Sequence, residues 1–506
     1  MKRLVQFCII GILVILLLPV YSAWGQEAKF VPVPSGLDNE VTWIGALEGS
    51  WIEMGTQYGH RASKSILDNS DVEWRNLLKG FDNDPQRIIT LVNAYEKQIA
   101  LLSPEMIEFM QGIAAGAEKE LNKSVYIGQS SNYMRILAQQ MERCLLPSFE
   151  ELLKKDGNPG LPGTTSSISD PESEQACNGW WVTGPATKDG ETYITRHSQS
   201  PGVDSENAHG VAFVLIPEDR NASVTFVQAP AGDIGGSGQS FNEYGVYLGW
   251  GVVRNTKSPM HQIVDEAIGV PDYVFMLPAV VFSKSAAEAK DYILYGTPKY
   301  RELTGRKTLL RDRGGNILVG DEKEAFVIEK LARQYAVRTP GYLGETGKSY
   351  IAFSNHFMYT DGSYDENDVF HKDVPSNAYS PEDETTSSSI RLWSQMGWFK
   401  NNYGNITLDM LQNDLEAMHY TYDKAGNKTE AVPGTGMPLK YSVCTHGGIS
   451  IKKPLGTSHS WNVSLAVPRT REIYFIAAQP CQYVNQSWNY VNLTIYSKYR
   501  KAVYGY

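Results

Sequence analysis

The chain has 506 residues, with 46 Lys and Arg against 56 Asp and Glu and a formal charge of −10 at pH 7. That mild charge is spread along the chain with no basic stripe to hold phosphates, which excludes nucleic acid as a partner. Length alone allows a large core in one or two domains.

The first segment reads as an address. Lys2 and Arg3 form a short basic region, Val5 to Val20 is apolar, and Ala23-Trp24-Gly25 puts small residues ahead of Gln26. That is the layout of a secretory signal peptide over 1–25. A membrane anchor is the competing reading, but the run is short for a span. The expectation is export to a secreted or periplasmic location, with no stable membrane span after signal removal. Four cysteines follow: Cys144, Cys177, Cys444 and Cys481. They are too few in so long a chain for a disulfide scaffold. If one stays a thiol, at most one bridge can form among the other three. No CxxC pair and no HExxH occurs. Asn-x-Ser/Thr sequons at Asn122, Asn221, Asn405, Asn427, Asn462, Asn485 and Asn492 fit an exposed, exported surface.

From Val41 to Lys155 the pattern is helical, so 26–155 reads as an N-terminal, mainly helical segment. Ile88, Ile89, Leu91, Val92, Tyr95, Ile99 and Leu102 recur at three- and four-residue spacings. Ser103-Pro104-Glu105 marks a helix start, with Met106, Ile107, Phe109, Met110 and Ile113 as its buried face. From Asp156 to Gln175 the chain is rich in Gly, Pro, Ser, Thr and acids, with almost no apolar residues. Such a stretch cannot bury enough surface to order itself, and 156–176 is expected to be a linker and activation segment.

Beyond Cys177 the texture is β. Gly179–Val182 and Thr192–Arg196 are short β-branched and aromatic runs, with Asp189-Gly190 as a tight-turn signal between them. Similar runs recur at Val211–Ile216, Ser223–Gln228, Gly245–Val253, Ile317–Val319, Ala325–Glu329, Ser464–Val467 and Ile473–Ala478. Helical patterns intervene at Ser283–Tyr295 and Ser388–Lys400. Strand runs separated by helices, without strict alternation, indicate an α+β protein.

A buried strand cysteine is ordinarily inert packing. Cys177 differs in position: it stands where the linker meets the first hairpin, after the small Ala176. Cleavage of the Ala176–Cys177 bond would put a thiol and an α-amine on one residue. An α-amine has a pKa of about 8, against roughly 10.4 for lysine. It can act near neutral pH as the base for its own side chain.

Around this cysteine the sequence resembles the acyl-coenzyme A:6-aminopenicillanate acyltransferase-like peptidases of the N-terminal-nucleophile hydrolase superfamily. Relatives there include conjugated bile salt hydrolases, penicillin V acylases, acid ceramidase and cysteine dipeptidases. The resemblance runs through separate blocks in order. They are Leu47-Glu48-Gly49-Ser50 with Met54-Gly55 and Tyr58-Gly59, then Pro104-Glu105 through Gln111–Ala117. Next come Cys177 with Asp189-Gly190 and Arg196, then Phe241-Asn242-Glu243-Tyr244-Gly245 and Ser354-Asn355-His356-Phe357. Ser388-Ser389-Ile390-Arg391, Cys444-Thr445-His446 and Pro480-Cys481 complete the series.

The resemblance implies a four-layer αββα sandwich with 177–506 as its catalytic region, and no metal or organic cofactor. It makes Cys177 the nucleophile that holds the acyl group as a thioester. Asn355 would donate to the oxyanion with help from Asn242, such a donor being worth about 3 kcal/mol. Arg196 would hold the thiol and α-amine or favour the thiolate, and Arg391 would support the site. Many relatives follow the arginine with Asn and, three residues after the arginine, an Asp. His197 and Gln199 stand there instead, and Gln199 cannot supply a negative charge. His197 or Asp204 could compensate.

Other signals carry less. Gly235-Gly236-Ser237-Gly238 lacks the GxSxG spacing because Gln239 follows it. Asp361 to Asp368 has oxygen donors but not the glycine or terminal glutamate of a calcium loop. His356 reads as packing that orients Asn355, and of Trp180 and Trp181, on alternate faces of a strand, one should line the pocket beside Cys177 and the other enter the core. The expected reaction is hydrolysis, or transfer to another amine, of a linear amide in a small molecule or short peptide. A phospholipase B-like ester hydrolase and a non-catalytic secreted binding protein are the alternatives.

Overall fold

The computed structural model describes residues 41–141, 150, 177–201, 209–235, 239–253, 267–312, 314–358, 362–372, 387–429, 442–444, 458–476 and 480–505. The signal segment, Ala176 and the 156–176 linker, Cys144, Asp204 and Thr445-His446 lie outside them. No helix among the described residues is long and apolar enough to cross a membrane.

The chain is a mixed α+β structure. The described residues open with strand β1 (Val41–Gly49), followed by helices α1 (Trp51–Arg61), α2 (Ser63–Gly80), α3 (Pro85–Leu102), α4 (Pro104–Gly116) and α5 (Asn132–Gln139). The helical expectation for this region therefore misses β1. That strand pairs in parallel with a partner far downstream, Val41 beside Gly210 through Gly49 beside Pro217. No hairpin turn announces such a pairing, because a parallel partner needs a long crossover. The helices follow their patterns. Asp84 caps α3, accepting from Gln86 N at 2.9 Å, with Pro85 in the first turn. Ile88, Leu91, Val92, Tyr95, Ile99 and Leu102 form the buried stripe of that helix.

Helices α1 and α4 cross with their backbones in contact. Gly55 and Gly59 of α1 face Gly112 and Gly116 of α4, and a Cβ on any of the four would collide with the opposite main chain. The glycines of the two blocks before the linker thus have a packing cause.

The later strands are β2 (Cys177–Val182), β3 (Tyr193–Pro201), β4 (Gly210–Pro217), β5 (Thr225–Pro230), β6 (Gln239–Asn242) and β7 (Tyr247–Val252). Next come β8 (Gly315–Gly320), β9 (Ala325–Lys330), β10 (Tyr335–Arg338), β11 (Tyr350–Phe353), β12 (Ser363–Tyr364) and β13 (Phe370–His371). The last are β14 (Thr421–Tyr422), β15 (Lys428–Thr429), β16 (Ser458–Val467), β17 (Glu472–Ile476) and β18 (Asn489–Asn492). Helices α6 (Asp272–Val281), α7 (Ala286–Tyr295) and α8 (Pro298–Thr304) lie between β7 and β8. Helix α9 (Ser387–Asn401) follows β13, and α10 (Leu493–Tyr504) ends the described chain.

Two sheets dominate. The larger has strand order β1-β4-β5-β6-β7-β8-β9-β10-β12-β13, and the smaller β11-β2-β3-β16-β17-β18. Their facing sides share one apolar cluster, with Trp181, Ile194, Phe353 and Phe475 from the smaller sheet against Ala212, Phe226, Phe241, Tyr247 and Leu318 from the larger. The outer face of the larger sheet packs its Phe213, Leu215, Val227 and Leu248 against the N-terminal helices and α6–α7. The outer face of the smaller sheet packs Trp180, Val182, Val463 and Leu465 against α9 and the turn that follows it. Strand β4 is buried at every position because both its faces are covered.

Candidate active site

Strand parity places the site. Cys177 pairs with Ser198, Asn178 with His197, and Gly179 with Arg196. Successive side chains on a strand point to opposite faces. Cys177, Gly179 and Trp181 therefore share the inter-sheet face with Arg196, while Asn178 and Trp180 share the outer face with His197. Strand β7 of the larger sheet lies opposite. Its Gly249 and Gly251 leave the room: a Cβ at Gly249 would come within 2.7 Å of Arg196 Cβ, and one at Gly251 within 3.5 Å of Cys177 Cβ. Between them, Trp250 O accepts from Arg196 Nε.

Cys177 is held at both ends. Its main-chain N–H donates to Asn355 Oδ1 at 2.6 Å, and Arg196 Nη2 donates to its Sγ at 3.5 Å. Its carbonyl accepts from Ser354 Oγ at 3.4 Å. Cys177 is 4% exposed, Asn355 5%, and Arg196 and Arg391 1% each, so the charges around the thiol act in a medium of low dielectric. A guanidinium beside a thiol favours the thiolate.

Arg391, on the first turns of α9, donates through Nη2 to Asn355 Oδ1 at 2.8 Å and to Ser354 Oγ at 3.1 Å. With its oxygen fixed between Cys177 N and Arg391, the Asn355 amide has Nδ2 as its donor edge. Asn355 sits just past the end of β11, and the turn there is clamped from the larger sheet. Asn316 Nδ2 donates to Ser354 O and to His356 O, both at 2.7 Å. The Glu329 carboxylate accepts from Met358 N at 2.9 and 2.8 Å and is itself held by Arg338 Nε at 2.6 Å. Arg196 is clamped in the same way, its carbonyl accepting from Gln239 Nε2 at 3.0 Å.

Two sequence expectations need correction. Asn242 is not brought to Cys177 as a donor: its Nδ2 gives both hydrogens to main-chain carbonyls, Val280 O at 2.8 Å and Ser283 O at 2.7 Å. Its Oδ1 accepts from Tyr244 N at 3.0 Å and Val246 N at 2.9 Å. It is a turn residue that fastens the β6–β7 corner to the end of α6. His197 falls on the wrong face for the thiol by parity. Its Nδ1 lies 2.8 Å from Glu416 Oε2, and Glu416 Oε1 accepts from Trp180 Nε1 at 2.8 Å, all buried behind the sheet. Gln199 is on β3 opposite Ser460 of β16, and its side chain lies outside the description. Trp181, on the same face as Cys177, enters the inter-sheet core, donating to Asp321 O at 2.8 Å.

The supporting residues Asn316, Glu329, Arg338, Gln239 and Ser354 escaped the sequence reading. Ser354 alone stood in a recognised block. The others are polar positions in strands whose patterns read only as β. A buried polar residue in such a run is the one available signal, since it must find a partner.

In the acidic loop before β13, Glu366 pairs with Arg306 and Arg333 and Asp368 accepts from Tyr335 Oη, while Asp365 turns back on its own loop. Asp365 Oδ1 accepts from Asn367 N and Val369 N, and Oδ2 meets His371 Nε2 at 2.9 Å. Cys177, Cys444 and Cys481 form no disulfide.

His356 is buried, with Nδ1 2.6 Å from Ser388 Oγ and Nε2 2.9 Å from Met358 Sδ. Burial first, then the charges of Arg338 and Arg391, push its pKa down to about 3, against about 6.5 unfolded. Between these values the unfolded chain binds more protons than the folded one. Stability is therefore full above about pH 6.5 and is lost as pH falls toward 3. His356→Gln should remove that component. Its urea-unfolding free energy should drop less than the wild type's between about pH 7 and 4.5, by roughly 2 kcal/mol. Equal drops in the two proteins would contradict a neutral His356.

No family model matches the sequence, and no curated protein matches it. Solved structures do. A mutant conjugated bile acid hydrolase from Clostridium perfringens is 12% identical with a TM-score of 0.33, over 63% of this chain and 92% of that one. A second variant of that enzyme is 12% identical with a TM-score of 0.32, over 63% and 93%. Penicillin V acylase from Agrobacterium tumefaciens is 9% identical with a TM-score of 0.30, over 60% and 83%.

Proposed function

We propose that this chain is an exported cysteine amide hydrolase or acyltransferase whose nucleophile is Cys177, exposed as a chain terminus by cleavage of the Ala176–Cys177 bond. The observation that carries the reading is the double hold on one residue, Asn355 on its nitrogen and Arg196 on its sulfur. A cysteine that merely fills a core requires neither. Helices outside two stacked sheets are also the layer order of the αββα sandwich expected for N-terminal-nucleophile hydrolases.

In this mechanism the released α-amine, with a pKa near 8, takes the thiol proton. The thiolate, favoured by Arg196, attacks the carbonyl carbon of a linear amide. The oxygen that gains charge is met by the Nδ2 edge of Asn355. Collapse expels the amine with the proton held on the α-ammonium and leaves a thioester. Water, activated by the same amine, then releases the acid and restores the thiol; a second amine in place of water gives transfer. Arg391 acts through Asn355, fixing its amide orientation.

Asn355→Ala should lower kcat by about 10²–10³-fold, the usual cost of one oxyanion donor. Asn355→Asp keeps an oxygen for Cys177 N and Arg391 but loses the N–H donor, and should show a loss of similar size. Full kcat in Asn355→Asp would exclude the donor role. The reaction class is tested with N-acyl amino acids, acylated amines, short peptides and phospholipids, using Cys177→Ala as the blank. Amide turnover is expected; turnover confined to phospholipid esters, or none at all, would sink the reading.

A further inference from the structure

Behind the catalytic sheet, three side chains from separate segments converge. His419, Cys444 and Cys481 each bring one donor atom to the cluster, and all three atoms lie within 4.8 Å of one another. Cys444 is fully buried, while His419 and Cys481 are half-buried. His419 follows the π-helical turn Leu411–Leu415, and Cys481 lies in the short 3-10 turn Pro480–Tyr483. The segments are tied by more than these side chains. Cys444 N donates to Met418 O at 3.2 Å and Asn485 N donates to Asn413 Oδ1 at 2.7 Å.

We propose that His419, Cys444 and Cys481 form a zinc site that fastens these three segments against the back of the catalytic sheet. A disulfide between Cys444 and Cys481 would need only the two sulfurs. An imidazole nitrogen within the same 4.8 Å adds a third donor, and two sulfurs with one imidazole is a donor set that zinc takes. Charge gives the same answer. Two thiolates in a mostly buried position are costly alone, but with a dication and a neutral imidazole the group sums to zero. Each thiol gives up its proton to solvent as the metal binds. Sulfur and imidazole donors select zinc over calcium or magnesium, which take oxygen. Among the described residues the donors number three, so the fourth tetrahedral position falls to water or another donor.

The site would also hold Glu416, three residues before His419. That carboxylate takes Trp180 Nε1 and faces His197 Nδ1 on the outer side of β2 and β3. Ligation of His419 thus supports the backing of the strands that carry Cys177 and Arg196, at a distance from the thiol itself. No short sequence motif announces it, because the donors are spaced across the C-terminal third of the chain.

The test is metal analysis of the purified full chain, desalted without chelator, together with a non-reducing peptide map. About one zinc per chain is expected, retained in Cys177→Ala and lost in His419→Ala, Cys444→Ser and Cys481→Ser. Exchange of cobalt(II) into the wild type should give the intense visible bands of a tetrahedral ion and a thiolate-to-metal band in the near ultraviolet. That spectrum decides the question even where the variants fail to fold. Absence of metal, a Cys444–Cys481 disulfide in the map, or zinc undiminished in folded variants would each overturn the proposal.

Discussion

Cys177→Ala should show no measurable amide hydrolysis, a fall of at least about 10⁴-fold in kcat, in a protein that melts close to the wild-type temperature. The substitution removes one sulfur from a position that is 4% exposed and ringed by polar partners. The Asn355 contact is made by the main-chain nitrogen and survives the change. Arg196 keeps its Nε bond to Trp250 O and its carbonyl bond from Gln239. Loss of rate with an intact fold therefore assigns the chemistry to Cys177, whose thiol and released α-amine are lost together. The chain is also expected to stay whole, because self-cleavage uses the same nucleophile. Circular dichroism and thermal melting supply the folding control, and residual turnover within about tenfold of wild type would remove Cys177 from the mechanism.

The largest stability effect is expected far from the thiol, where α1 crosses α4. A Cβ at Gly112 would meet Ile52 O and lie 2.9 Å from both Gly55 Cα and Thr56 N. The obstructing atoms are main chain, which cannot turn aside as a flexible side chain can. Gly112→Ala should cost about 3 kcal/mol, the upper part of the usual range for overpacking, and Gly112→Leu should abolish folding. The damage would spread toward the sheets. Tyr58 of α1 anchors the loop after β5, receiving from Gly232 N at 2.8 Å and donating to Asp233 O at 3.1 Å. Gln140, just past α5, grips the same loop through Gly232 O at 2.8 Å and Ile234 N at 3.0 Å. Urea denaturation measures the effect; an unchanged midpoint in Gly112→Ala would mean that the two helices can separate at little cost.

What could be read from the sequence follows from how local each signal is. The hairpin of β2 and β3 and the buried stripes of α3 and α4 are period-two and helical patterns carried by adjacent residues. Cys177 and Arg196 could be paired in advance because they share that hairpin. Asn355 and Arg391 were named from blocks, but the hydrogen bond between them, and that from Cys177 N to Asn355, depend on where β11 and α9 come to rest. Parity was available yet unused: His197 is one residue from Arg196 and so must face away from it. Asn242 shows the opposite failure. A turn asparagine beside Gly245 satisfies the local rule, and its main-chain partners near residue 280 confirm that bland role. Strand β1 was missed because its partner is supplied by residues after 209. Asn316, Glu329 and Gln239 were missed because a polar residue in a strand declares its purpose only when its neighbours are known.

The central claim is that Cys177 works as a chain terminus. Intact mass together with N-terminal sequencing of the purified mature protein tests it most directly. A fragment beginning at Cys177, absent from Cys177→Ala, is the predicted result. A single uncut chain that still hydrolyses amides would contradict it.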